Sequence, residues 1–323
     1  MPAARRQFLQ ICANAVAATA YASVAHAQAY PSKPITLIVP FPPGGSTDVV
    51  GRIVAERMRP LLGQPMVIEN VGGAGGSIAL GRVARATPDG YTIDIGQWDT
   101  HVGGIIYNIN YNLQTDFTPI GLMTINPQLM VARKNMPADD LKGLVAYMKA
   151  NPGRALLANQ TATAQTSGIQ LQELTGTTLQ FSPYRGAGPA LTDIVAGHVD
   201  MMFDTIVTSL PLHRAGSARI VAIANAQRSS ALPNVPTFAE SGMPDFRSIT
   251  WFGCVAPAGT PASVAEKVHK DLVEVLARPE VNAKLAELML EPVASAPAQA
   301  AQFFVEETAL WGKVIRDTGV KAQ

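Results

Sequence analysis

Short apolar runs, separated by glycine, proline and polar turns, alternate along this chain with stretches whose apolar residues recur every three to four positions. Ile35-Thr36-Leu37-Ile38-Val39 is a β-branched run of the kind buried on both faces of a sheet. Pro42-Pro43-Gly44-Gly45 stops it. Ser46, Thr47 and Asp48 are good helix starters, and Val49, Ile53 and Met58 begin an apolar stripe that ends near Gly63. A strand at Met66-Val67-Ile68, a glycine run over 72–76, a helix over 77–85 and a strand over 91–95 follow. This β-α-β-α-β order predicts a parallel sheet with right-handed crossovers.

The pattern then repeats. Strands are expected at 129–132, 155–158, 179–184, 199–203 and 219–224. Helices are expected over 141–149, from about 167 to 174 after a polar loop at 159–167, and from Pro189, a residue favoured in a first turn. After Pro257-Ala258-Gly259-Thr260-Pro261 the chain reads as helical to its end, striped by Val264, Val268, Leu272, Val275 and Leu276. The expected fold class is α/β: two mostly parallel sheets flanked by helices, with the terminal helices packed back on the first. Residues 28–124 with 250–323 form one lobe and 125–249 the other, and the crossovers near 125 and 250 act together as a hinge.

The first 27 residues belong to neither lobe. Arg5 and Arg6, an Ala-rich apolar stretch from 8 to 24, and Ala25-His26-Ala27 have the layout of an export signal cleaved after Ala27. The route is open between general secretion and twin-arginine export, since Arg5-Arg6-Gln7-Phe8-Leu9 resembles a signal of the second kind. Losing Arg5 and Arg6 takes the formal net charge from +1 to −1 and losing Cys12 leaves Cys254 as the one thiol. Cys254 sits in an apolar run and is read as a small buried hydrophobe. A near-neutral chain lacks the basic excess of a nucleic-acid binder. The 15% charged and 47% hydrophobic content excludes a disordered chain.

In open α/β sheets ligands collect where strand ends lead into helix N-termini. The loops there are 40–48, 70–77, 96–104, 159–167, 184–189 and 204–208, rich in Gly, Ser, Thr, Asn and Gln and poor in charge. They offer amides and hydroxyls, and Pro40-Phe41-Pro42-Pro43-Gly44-Gly45-Ser46-Thr47-Asp48 is the best of them for a small anion such as a carboxylate. The same residues would serve equally as a turn and a helix cap. No P-loop, G-x-G-x-x-G, G-x-S-x-G or H-E-x-x-H pattern is present, and the histidines at 101, 198, 213 and 269 are scattered. No cofactor and no metal is expected. The missing nucleophile–base pair favours a binder; the rival reading is an enzyme with Asp99, His101 or Asp204 as an acid–base group.

Tyr30-Pro31-Ser32-Lys33-Pro34-Ile35 followed by Pro40-Phe41-x-Pro43-Gly44-Gly45-Ser46-Thr47-Asp48 resembles the start of the Bug-type periplasmic receptors of tripartite tricarboxylate transporters. Pro88-Asp89-Gly90-Tyr91-Thr92, Pro183-Tyr184-Arg185-Gly186, Trp251-Phe252-Gly253 and Ala256-Pro257-Ala258-Gly259-Thr260-Pro261 continue the likeness in order along the chain. The resemblance implies a hinged, two-lobed periplasmic protein, expected to be a monomer, that closes on a small organic acid and passes it to a transporter or a sensor. It places Gly44, Gly45, Ser46 and Thr47 on one carboxylate, with Phe41 of the same loop also expected to bind the ligand. From the facing lobe it brings Gln160, Thr161, Thr163, Thr166 and Ser167, with Tyr184 and Asp204. Thr100 also fits the family pattern. Trp98 and Asp99 depart from it, since relatives carry small residues there. Two readings stand for this pair. Either Trp98 packs on an apolar or aromatic part of the ligand and Asp99 accepts from an amino or amide group, or both point to solvent at the lip.

Overall fold

The structure, a computed structural model, describes residues 30–101 and 109–318, so the expected signal segment lies outside the described residues. β1 (Ile35–Val39) forms as expected, with Ile35, Ile38 and Val39 fully buried. α1 (Ser46–Leu62) follows and is closed by Gly63 at φ 68°, a left-handed cap that glycine adopts without steric cost. β2 (Met66–Asn70), α2 (Ser77–Ala84), β3 (Thr92–Gln97) and the single turn α3 (Trp98–His101) complete the first βα series. Next come β4 (Phe117–Pro127), β5 (Leu129–Arg133), α4 (Leu141–Ala150), β6 (Ala155–Asn159), α5 (Ala162–Thr175), β7 (Leu179–Pro183), α6 (Ala187–Ala196), β8 (Met201–Asp204), α7 (Ile206–Arg214) and β9 (Ala218–Ile223). The chain then runs through β10 (Ile249–Pro257), α8 (Ala262–Ala277), α9 (Pro279–Glu287), the short β11 (Glu291–Pro292) and α10 (Pro297–Thr318).

These strands form two sheets, ordered β11-β4-β10-β3-β1-β2 and β7-β6-β8-β5-β9, in a two-lobed α/β fold. β1 pairs in parallel with β2 and β3, and β6 with β7 and β8, as the βα pattern requires. The sheets are mixed rather than mostly parallel. β4 and β10 lie side by side and antiparallel, from Ile249 opposite Pro127 to Pro257 opposite Phe117, and β5 pairs antiparallel with β8 and β9. The chain changes sheet twice, between β4 and β5 and between β9 and β10. A strand entering a sheet from the other half need not run with its neighbours, so the parallel rule for βα units does not bind it.

Alternation places the cores. Met130 and Ala132 of β5 face a cluster with Leu144, Met148, Leu157 and Phe203, while Leu129 and Val131 face another with Ile194, Met202, Leu210 and Ile220. Both faces of this strand are therefore covered, which explains its unbroken apolar run. The terminal helices pack on the first sheet as expected: Ala300, Phe304 and Ile315 of α10 share a core with Ile38, Leu80, Trp98 and Trp251. Cys254 is buried, and its thiol is pushed up, first by burial and then by the charge of Asp94.

Asp94 in β3 breaks the apolar pattern. It is fully buried, and neither carboxylate oxygen has a hydrogen-bond partner among the described residues. Burial pushes its carboxyl well above the ordinary range. A folded-state pKa raised above the unfolded one stabilises the fold fully at low pH, and that stabilisation is lost as the pH rises through the folded-state value. Asp94→Asn is therefore expected to stabilise the protein by about 1–3 kcal/mol at neutral pH. The gain should fade as the pH falls toward the unfolded value of about 4. Urea denaturation at both pH values checks this; an equal effect at both would show that the charge is not the cause.

Candidate functional site

The loop between β1 and α1 is held by one acid. Asp48 Oδ2 accepts from Gly44 N at 3.0 Å and Arg52 Nε at 2.9 Å, and Oδ1 accepts from Arg52 Nη2 at 2.9 Å and Asn70 Nδ2 at 3.0 Å. Asn70 Nδ2 also donates to the Phe41 carbonyl at 3.0 Å, tying β2 to the bend. Burial pushes the Asp48 carboxyl up, but these donors and the Arg52 charge outweigh it and hold it below the ordinary range. The N-cap of α1 is Gly45, with φ −76° and ψ 168°, and no side chain caps the helix. Its first amides and its dipole are left to face whatever sits before them.

Three helices of the second sheet start opposite this loop. α6 begins after Gly186 and α7 after Thr205, and neither has a side-chain cap bond. α5 begins after Thr161, whose Oγ1 accepts from Ala164 N at 3.1 Å. Together the four N-termini border one crevice of about 520 Å³, including its solvent-open part. Phe41, Pro42, Pro43, Gly45, Ser46, Thr47, Gln97, Asp99 and Thr250 line it with Gln128, Gln160, Thr161, Ala187, Gly188, Phe203, Asp204 and Thr205. Gln160 Nε2 donates to the Phe203 carbonyl, while Gln160 Oε1, Thr205 Oγ1 and Thr250 Oγ1 are buried without a partner among the described residues. Unpaired buried polar atoms gathered at one crevice mark a place where a polar molecule completes the hydrogen bonding. A second chamber of about 980 Å³ shares Phe41, Pro42, Gln160 and Thr161 with the first and adds Gly73–Gly76, Gln165, Tyr184 and Arg185.

The bend and the start of α5 thus meet across a shared crevice. Of the expected residues, Phe41, Gly45, Ser46, Thr47, Asp99, Gln160, Thr161 and Asp204 line the first chamber, and Tyr184 the second, its hydroxyl donating to Asp193 at 2.7 Å. The others lie elsewhere. Gly44 is occupied with Asp48. Trp98, at 1% exposure, packs in the first core with its ring edge-on to Trp311 at 5.4 Å, so it neither meets a ligand in the crevice nor points to solvent. Thr100 closes the turn, accepting from Gln97 N at 3.0 Å and donating to its carbonyl at 2.9 Å. The expected loop at 159–167 is largely the first turns of α5. Thr166 donates back to the Ala162 and Thr163 carbonyls, and Ser167 to that of Thr163, while Thr163 lies buried beside Asp99. Gln97 and Thr205 fall within the expected loops 96–104 and 204–208 without having been singled out, and Gln128 and Thr250 were not expected. Each is a polar residue at the end of an apolar strand, a signal that carries little weight alone.

Three groups bear on chemistry. Burial pushes the carboxyl of Asp99 up against the pull of donors on Thr163 and Thr161, and that of Asp204 up against Ser209, Thr208 and Thr205. His101 is not with them. Its ring lies 5.0 Å from Phe304 and 5.3 Å from Trp251, and burial drops its pKa to about 4, despite the Gln97 carbonyl. Of the three groups named for the enzyme reading, Asp99 and Asp204 line the crevice and His101 does not.

The sequence profile described as "Tripartite tricarboxylate transporter family receptor" matches residues 50–320. Protein BugT of Bordetella pertussis is 34% identical over 313 residues, covering 95% of each chain. Among solved structures, the periplasmic binding protein BugD is 35% identical with a TM-score of 0.86, over 91% of this chain and 100% of that one. MatC from Rhodopseudomonas palustris with bound malate is 35% identical with a TM-score of 0.83, over 88% and 100%. BugD is a periplasmic binding protein and MatC holds malate, so the solved relatives are solute-binding proteins rather than enzymes. A likeness that runs through both sheets and nearly the whole sequence makes this chain a member of the tripartite tricarboxylate transporter family of receptors.

Proposed function

We propose that the chain is an exported periplasmic receptor that captures a small organic acid by one carboxylate and delivers it to the membrane subunits of a tripartite tricarboxylate-type transporter. One observation carries this reading: three helix N-termini without side-chain caps, those of α1, α6 and α7, border a first chamber lined by no Lys or Arg among the described residues, Arg185 lying on the second. Aligned amides and dipoles hold an anion there without a formal counter-charge. The malate held by the R. palustris relative is an acid of this kind.

The two passages between the sheets suit a hinge, with lobe boundaries near 125 and 250, since Ile249 lies opposite Pro127. An acid that touches both halves binds the closed state better than the open one, and that difference drives closure. The receptor acts as a monomer, and export would remove residues 1–27. An aromatic ligand loses its support, because Trp98 is in the core.

Mass spectrometry of small molecules released from natively purified protein is expected to identify an organic acid. Calorimetry on protein unfolded and refolded free of it should give one acid per chain, recovered unchanged. A co-purifying molecule without an acid group, or its conversion to product, would overturn the reading.

A further inference from the structure

The fourth helix at the crevice differs in that side chains take the amides of its first turn, whereas at α7 Asp204 Oδ2 accepts from the hydroxyls of Thr208 at 2.6 Å and Ser209 at 2.5 Å. α5 is capped twice: by its own Thr161, and by Asp99, which comes from α3 at the end of a strand of the opposite sheet. Asp99 Oδ1 accepts from Thr163 N at 2.7 Å, and Oδ2 accepts from Gln97 Nε2 at 3.1 Å. Gln97 Oε1 in turn accepts from Thr47 Oγ1 at 3.1 Å, so a chain of hydrogen bonds runs from the first turn of α1 to the first turn of α5. The Asp99 carboxylate is thus held at both oxygens, and it lines the crevice at 2% exposure. Among the described residues Asp204 is the other ionisable side chain lining that chamber. The unpartnered buried atoms there, Gln160 Oε1, Thr205 Oγ1 and Thr250 Oγ1, are uncharged.

We propose that Asp99 acts as the protein's own anion at α5, so that the site takes an acid with a single carboxylate and an N–H-donating far end, an amide or an ammonium, and excludes the matching dicarboxylate. The proposal rests on the carboxylate reading above and adds the class of the far end. A second ligand carboxylate held in the first chamber would meet Asp99 and Asp204 with no cation lining it among the described residues, Arg185 lying on the second chamber, and like charges brought together under low dielectric repel strongly. The dipole of α5, which could have offset that repulsion, is already matched to Asp99. An amide or ammonium far end instead donates to the two acids and to Gln160 Oε1, and an amide oxygen accepts from Thr205 or Thr250. Asp99 is thereby a specificity-determining residue that works by repulsion.

The test uses protein refolded free of ligand and two matched sets of probes, built on succinate and on adipate. Each set holds the diacid, its monoamide, its diamide and the ω-amino acid of like length. Wild-type protein is expected to bind the monoamide or the amino acid at least about tenfold more tightly than the diacid in calorimetry. Asp99→Asn should narrow or reverse that ratio. A wild-type protein that binds the diacid as well as the monoamide overturns the inference and leaves the carboxylate reading standing. Equal binding of the diamide, which has no carboxylate, overturns the carboxylate reading itself. The wild-type comparison decides without the variant, should Asp99→Asn fail to fold.

Discussion

Gly45→Asp is expected to leave the fold intact while weakening binding of the co-purified acid by about 100-fold or more. Gly45 is the N-cap of α1, and its φ of −76° and ψ of 168° are open to any residue. A Cβ built there finds its nearest neighbour, the Pro42 carbonyl oxygen, at 3.6 Å, an ordinary contact. An aspartate at this position accepts from the amides of the first turn, which is the standard N-cap bond. Replacing glycine with a strong cap changes helix stability by only a few tenths of a kcal/mol. Asp48, three residues on, is already paired with Arg52 and adds little repulsion. The new carboxylate would occupy the anion position from within, as Asp99 does at α5. Calorimetry and thermal denaturation of the same preparation check both halves: an unchanged Tm without acid, and the loss of the stabilisation that the acid brings. If the acid still stabilises the variant as it does the wild type, the end of α1 is not where its carboxylate lies.

Trp98→Ala should do the opposite, costing about 3–5 kcal/mol of stability and leaving the affinity of the folded protein within a few-fold. Trp98 is among the largest fully buried side chains and shares its core with Ile38, Ala79, Leu80, Val83 and Trp251. Removing the indole opens a cavity between β1, α2 and α10 that these elements can fill only in part. Urea denaturation measures the loss, and calorimetry under conditions where the variant is folded measures the affinity. A large drop in affinity with little loss of stability would return Trp98 to the ligand.

The opposite fates of Trp98 and Asp99 illustrate what local pattern can and cannot say. The two are adjacent in a single helical turn, where neighbours point about 100° apart. Once the indole is drawn into the core, the carboxylate must point elsewhere. Elsewhere is the start of α5, which is some sixty positions away in sequence and close only in the folded chain. The hydroxyl-rich segment from 161 onward misled in a similar way. Its Thr, Ser and Gln read as a loop because they compete with the backbone in extended chain, yet here they bond back into the helix that Thr161 starts.

From sequence alone came the elements whose cause is local: the β-branched run of β1, the proline-glycine bend, the glycine that ends α1, the succession of strands and helices, and the family likeness carried by those turns. β4 and β10 did not come that way. Their pairing with each other, and the carriage of Gln97, Gln128 and Thr250 to one crevice, depend on contacts between distant segments. Which helix ends stay uncapped and which one the protein caps for itself is likewise a question of which residues are brought within 3 Å, and only the tertiary structure answers it. Backbone preference acts over a few residues, whereas a binding site is an agreement among side chains that no short stretch of sequence contains.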